Sequence, residues 1–316
     1  MKKRNLNFEN LGLFVILIVM IAVFWIIYNP FVSTVNVINI LLTVSLIGII
    51  SVPWTMLCIG GGLDISVGSV MGFCAVVTTQ LFSKGLNLVL AIVIGLLAAG
   101  IVGLINGLLI TKAGINPIIT SLAMLSIFRG LAYIFAGGTG IPIMDDRFKF
   151  LGLGRIGILP VSVVILIVLF LAGYFVLGYT QFGRNIYYVG GNEKAAKTAG
   201  INVDFTRISL YVLTSMGAGL AGLINAAQLG TTQPKIGTGY EFAVVTAVVL
   251  GGISLAGGKG RILGALLGVL IIGTLKYGLE IIGVHSFYQV IAQGTILLIA
   301  VAFDQIKIKR SSEGFS

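Results

Sequence analysis

Long apolar runs alternate with short polar interruptions along this chain. The runs at 11–28, 85–111, 156–183 and 208–234 contain no charged residue. Each is close to or longer than the roughly 20 residues that a helix needs to cross a bilayer core. The pattern predicts spans near 11–28, 37–58, 67–82, 87–110, 117–136, 159–178, 208–228, 241–257, 262–282 and 287–304. These runs are apolar all round. A membrane β-barrel would instead alternate apolar and polar positions, so the predicted class is all-α.

Small residues add a packing signal. Gly95, Ala99, Gly103 and Gly107 recur every four positions on one run, and Gly260, Gly264 and Gly268 do so on another. Such spacing puts them on one helix face and lets backbones approach closely. Gly60-Gly61-Gly62 interrupts a further apolar tract and is followed by Asp64, Ser66 and Gly68. Glycine breaks a helix, and Asp or Ser caps the one that resumes. Non-helical backbone at membrane depth is tolerated where protein buries it or where it lines a wet cavity. Two readings follow for Gly61, Gly62, Asp64, Ser66 and Gly68: a gate or pathway element, or a helix cap at the membrane boundary. The string from Ile59 to Gly68 also resembles the one from Val249 to Gly258, with Ile59 opposite Val249. This weak internal repeat is of the kind that transporters carry around broken helices.

Composition agrees with the pattern. Hydrophobic residues make up 57% of the 316 and charged residues 9%, against roughly 25% charged in a soluble domain. Mean hydropathy is +1.09. The net charge of +10 would suggest nucleic acid in a soluble protein, but no basic stripe interleaved with aromatics supports that partner. The charge instead reports sidedness. With the N-terminus inside, Lys2, Lys3, Arg4, Lys112, Arg184, Lys194, Lys197, Arg207, Lys259, Arg261, Lys307, Lys309 and Arg310 fall inside. Lys84, Arg147, Lys149, Arg155 and Lys235 fall outside. That asymmetry follows the positive-inside rule and predicts an even number of spans with both termini cytoplasmic. Residues 1–28 are read as an uncleaved first span, since Asn29-Pro30-Phe31 is a poor signal-peptide cleavage site.

Two polar segments lie between spans. Segment 137–159 is external and holds Asp145, Asp146, Arg147 and Lys149. Segment 180–207 is internal, and Glu193 to Lys197 reads as a short helix with Asn192 as N-cap and Gly200 as terminator.

Catalytic chemistry finds little support. A phosphate-binding loop needs Gly-x-x-x-x-Gly-Lys-Ser/Thr, and the nearest string, Ile253 to Gly260, lacks the first glycine and the hydroxyl residue. The single histidine, His285, has no partner set for a metal or a nucleophile. Cys58 and Cys74 sit in apolar runs and read as core.

The strings now carry a resemblance. Gly61-Gly62-Leu63-Asp64-Ile65-Ser66-Val67-Gly68-Ser69 resembles a signature of the ribose-type permease subunits of ABC sugar importers. The segment from Gly183 to Ala196, followed by Gly200-Ile201, is similar to that family's second hallmark. Asn106-Gly107, Gly114 to Pro117, Gly251 to Ser254 and Gly257 to Gly260 also fit, in order along nearly the whole chain. The resemblance implies one permease domain over 1–316, with 180–207 docking as a coupling loop into a cytoplasmic ATPase subunit. Arg184, Glu193, Lys194, Ala195, Ala196 and Gly200 would form that contact, with Lys194 standing where a second acid is common. ATP and Mg would reside on the partner, an external sugar-binding protein would deliver cargo, and two copies of the chain would pair.

Other polar residues have paired readings. Asn106 and Asn116 serve either hydrogen bonds between helices or the pathway. Arg129 serves either the pathway and binding-protein docking or snorkelling to the interface. Gln228, Gln233 and Glu241 flank an expected external mouth. Lys276 and Glu280 have the spacing of an i,i+4 pair. Alternatives to a sugar importer permease are an ion-coupled secondary transporter, an integral membrane enzyme, or an importer of a nucleoside, an autoinducer sugar or an amino acid.

Overall fold

The computed structural model describes residues 8–313; Lys2, Lys3 and Arg4 lie outside the described residues. Its helices are α1 (Phe8–Ile27), α2 (Thr34–Ile59), α3 (Val67–Ser83), α4 (Leu88–Thr111), α5 (Pro117–Ala136), α6 (Asp146–Leu153) and α7 (Val161–Tyr179). There follow α8 (Gln181–Gly191), α9 (Glu193–Thr198), α10 (Val203–Leu229), α11 (Tyr240–Leu250), α12 (Ile262–Ile281) and α13 (Ser286–Glu313). Strand β1 (Ile141–Pro142) pairs with β4 (Thr231–Thr232), and β2 (Arg155–Ile156) with β3 (Leu159–Pro160), all antiparallel and two residues long. The chain is an all-α, polytopic membrane protein. Helices α2, α4, α5, α7, α10 and α12 are long and apolar enough to cross a bilayer; 11–27 of α1, α3, α11 and 286–302 of α13 are shorter apolar helices.

The core is built where small residues let helices touch. A Cβ on Gly103 would overlap the Tyr211 carbonyl, and one on Gly107 would lie 2.9 Å from the Ile208 Cα, so α4 lies directly against α10. A Cβ on Gly264 or Gly268 would overlap carbonyls of Gly251 and Ala247, so α12 lies on α11. The expected α4 face is thus a contact face, and so are Gly264 and Gly268 of α12, whereas Gly260 lies in the loop before α12, at φ +145°, and faces Ile253. α2 runs through the middle, and its residues from Val44 to Ile59 are all buried.

Two ends of the bundle differ. At one, the 60–66 break, the C-terminus of α4, α8, α9 and the 251–260 loop gather: Lys112 pairs with Asp204, and the Gly258 N–H donates to the Ile59 carbonyl at 2.8 Å. At the other, β1 and β4 join the 137–160 and 230–239 segments, and Thr79 and Thr232 share a 2.7 Å hydrogen bond.

Three expectations change. α11 stops at Leu250, not near 257, because Gly251 and Gly252 end it. Its 11 residues span about 16 Å at 1.5 Å each, half of a roughly 30 Å hydrocarbon core. Segment 180–207 holds two helices, since α8 precedes the expected α9. Lys276 and Glu280 form no ion pair: Lys276 Nζ stands 4.1 Å from the Tyr240 ring centroid, and Glu280 is exposed.

Candidate functional site: the α8–α9 element and two glycine loops

α2 ends in a Schellman cap. Gly61 takes φ +77°, its N–H donates to Cys58 O, and the Gly62 N–H donates to Leu57 O, both at 2.9 Å. Only glycine takes such a φ cheaply, and the motif satisfies carbonyls that a helix end leaves free. α11 ends in the same way: Gly252 has φ +81°, its N–H donates to Val249 O, and that of Ile253 to Val248 O. The same glycine cap also closes α3, α5, α9 and α12, so it does not by itself make the two strings a repeat. Aligned on their caps, Ile59 stands opposite Leu250, the last helical residue of α11, and not opposite Val249.

Beyond the first cap, the backbone is pinned by buried polar groups. Asp64 Oδ1 accepts from the Ser66 N–H at 2.8 Å and from the Ser66 hydroxyl at 2.6 Å. Asn106 of α4 donates to Ser66 Oγ at 3.0 Å and to Asp64 Oδ2 at 3.5 Å. Trp54 Nε1 donates to the Asp64 carbonyl at 2.8 Å, and the Tyr211 hydroxyl lies 3.3 Å from both Leu63 N and O. Asp64, Ser66, Asn106, Trp54 and Tyr211 are all 0% exposed. A buried polar group without a partner costs ~1–3 kcal/mol, so this network holds the break in one conformation.

A second junction joins residues that the sequence keeps apart. Arg129 Nη2 donates to Gly68 O at 2.8 Å, and Nη1 donates to Pro234 O at 2.5 Å and to Ile236 O at 2.7 Å. The guanidinium does not snorkel; it ties α5 to the start of α3 and to the 230–239 loop. Glu241 is buried, accepts from the Gly239 N–H at 3.2 Å, and would be struck by a Cβ on Gly68. Gly68, Arg129 and Glu241 thus form one cluster. Gln228 is half-buried, with its backbone against Gly152, and Gln233 is half-buried beside Gly140. Asn116 is exposed and caps α5, accepting from Ile118 N at 2.9 Å.

The third junction is α8–α9. Asn192 Oδ1 accepts from the Ala195 N–H at 3.0 Å, and Gly200 ends α9 at φ +77°. Val189, Ala196 and Val203 form a small core with Ile201, fastening α8, α9 and the start of α10 to one another. Ala196 therefore faces inward, while Lys194, Ala195 and Arg184 are exposed. Glu193 pairs with both Lys197 and Arg207 at 2.6 Å. The Lys197 and Arg207 hydrogen bonds hold its carboxyl below its ordinary range. A cavity of about 700 Å³ lies between α8 and α9, lined by Arg184, Tyr188 and Ala195 among others.

α8 touches both glycine loops. A Cβ on Gly190 would overlap the Ile59 carbonyl and come within 2.7 Å of the Gly258 N. The Tyr187 hydroxyl donates to Gly260 O at 3.0 Å. Sequence reasoning missed this contact; the only signal was the Gly190-Gly191 pair inside an otherwise amphipathic stretch.

The family to which this multi-pass bundle belongs gives its class, a membrane transport subunit. The chain belongs to the family described as branched-chain amino acid transport system / permease component, whose model matches residues 36–301. It is 39% identical to the ribose import permease protein RbsC of Bacillus subtilis, over 95% of this chain and 94% of that one. It is 38% identical to the L-arabinose ABC transporter permease protein AraH of Azospirillum brasilense (94% and 87% covered). It is 33% identical to the D-allose transport system permease protein AlsC of Escherichia coli (96% and 95% covered). No solved structure matches the chain.

Proposed function

We propose that this chain is the transmembrane permease subunit of an ATP-binding cassette importer, moving a monosaccharide into the cytoplasm. The observation that carries the mechanism is the contact of α8, through Gly190 and Tyr187, with both glycine loops. The α8–α9 element docks on a cytoplasmic ATPase subunit, which holds ATP and Mg. Arg184, Lys194 and Ala195 present its outer face, while Glu193, Ala196 and Gly200 keep its shape. A displacement of α8 on the ATPase reaches the ends of α2 and α11 together, because the Gly258 N–H bonds to Ile59 O and joins the loops. Asp64, Ser66 and Asn106 keep the first break rigid, so force is passed to α3 and is not absorbed locally.

In this reading the six long helices and the four shorter apolar ones make ten crossings, α11 completing its own together with the 230–239 segment that leads into it, with both termini on the ATPase side. Two copies enclose the pathway, and an external binding protein delivers sugar at the opposite end. The relatives' ribose, L-arabinose and D-allose make a neutral sugar the expected cargo.

The test is Lys194→Glu combined with Ala195→Trp, which alters the outer face of α9 and leaves its ion pairs intact. We expect normal insertion, loss of ATPase co-purification, and a fall of about tenfold or more in ATP-dependent uptake, the scale of losing one or two interface anchors. Normal association and uptake would contradict the coupling assignment.

A further inference from the structure

A cavity of about 220 Å³ lies at the end away from α8, between the 230–239 loop, α12 and the first turns of α13. Five polar side chains line it: Thr238, Lys276, Ser286, Gln289 and Gln293. Gln289 donates an amide hydrogen to Val284 O at 2.8 Å, and Gln293 donates one to Gly239 O at 3.4 Å. Each amide is thereby fixed, and its carbonyl oxygen remains an acceptor. Lys276 is held over the Tyr240 ring, a contact that uses its charge but still permits N–H donation. A cation inside a membrane helix is costly and marks an interior or wet site. No carboxylate lines this cavity.

The chemistry selects among ligands. A metal ion would be repelled by Lys276. An anion would find one cation but also the amide oxygens. A neutral polyol fits the mixture, since each hydroxyl both donates and accepts. We propose that this cavity is a hydroxyl-recognising subsite for the monosaccharide, with Lys276 as donor and Gln289 and Gln293 as acceptors. It rests on the importer reading above and adds to it where sugar is met.

The test uses the assembled complex with its ATPase and binding protein. Cys58 and Cys74 are both buried, so Ser286→Cys supplies the accessible thiol. Its labelling by a small maleimide is followed during ATP turnover with ribose, L-arabinose or D-allose. A sugar that the complex takes up should slow labelling; unchanged labelling during active uptake overturns the site. In a second variant, Lys276→Met with Gln293→Leu, uptake should fall about tenfold, the effect of deleting a hydrogen bond to a charged group. Binding-protein-stimulated ATP hydrolysis should persist in that variant. Unchanged uptake there also overturns the site. Absence of ATP-dependent uptake of any sugar by the unaltered complex would instead contradict the importer reading itself.

Discussion

The loops at 60–66 and 251–260 leave their helices by the same cap and are then held in opposite ways. The first runs into buried polar partners on α2, α4 and α10: Asp64 with Ser66 and Asn106, Trp54 on the Asp64 carbonyl, Tyr211 on Leu63. The second folds back on itself, with the Ser254 N–H donating to Lys259 O and that of Gly257 to Ser254 O. It then rests on α8 and on Ile59. In the proposed mechanism the first loop is a fixed pivot and the second a contact arm, and α8 touches both. The same glycine cap thus leads into two different environments, and the buried carboxylate of Asp64 marks the difference.

Breaking the shared contact should have the largest effect. Gly190→Val places a branched side chain on backbone atoms of Ile59 and Gly258, neither of which can rotate away. Overpacking of this kind costs ~1–3 kcal/mol or more. Uptake and stimulated ATP hydrolysis in proteoliposomes should both be lost, while the protein still inserts. Breaking the pivot alone should do less. Asp64→Leu removes the acceptor of the Ser66 N–H and hydroxyl, at ~1–3 kcal/mol for each buried group, while the Asn106 amide keeps its bond to Ser66 Oγ. Thermal unfolding in detergent should move down clearly, and Asp64→Asn, which keeps an acceptor oxygen, should recover part of the loss.

The smallest effect concerns the α9 ion pairs. The folded carboxyl of Glu193 is held below its ordinary value of 4.5 by Lys197 and Arg207. Its contribution is therefore present above pH 4.5 and is lost as pH falls through the lower folded value. The side chain is 38% exposed, so solvent screens the pairs and the effect is slight. Arg207→Gln should lower the hydrogen-exchange protection of α9 slightly near neutrality and flatten its acid dependence, so that variant and parent converge as pH falls below 4.5.

Local features of this fold were legible in the sequence, and distant ones were not. The glycine faces of α4 and α12, the break before Asp64, and α9 between Asn192 and Gly200 follow from spacing and capping within a few residues. α8 escaped notice because Gly183, Gly190 and Gly191 lower its helix propensity; packing against α7 and the glycine loops stabilises it. The cluster of Gly68, Arg129 and Glu241 joins three segments far apart in the chain, which no local pattern encodes. Lys276 had a plausible partner at Glu280, but α12 turns Glu280 outward and leaves the ammonium over Tyr240. The two glycine strings looked alike in sequence, yet the cap they share also closes α3, α5, α9 and α12 and aligns them one residue away from the string match.

The central claim is that α8 moves both glycine loops at once. Hydrogen exchange in the assembled complex, compared with and without a slowly hydrolysed ATP analogue, tests it most directly, because exchange reports opening segment by segment. The account predicts that protection changes in 181–198, in 59–66 and in 251–260 appear together, and that Gly190→Val removes the changes in the two loops. A change confined to 181–198, with both loops unaffected by nucleotide, would contradict it.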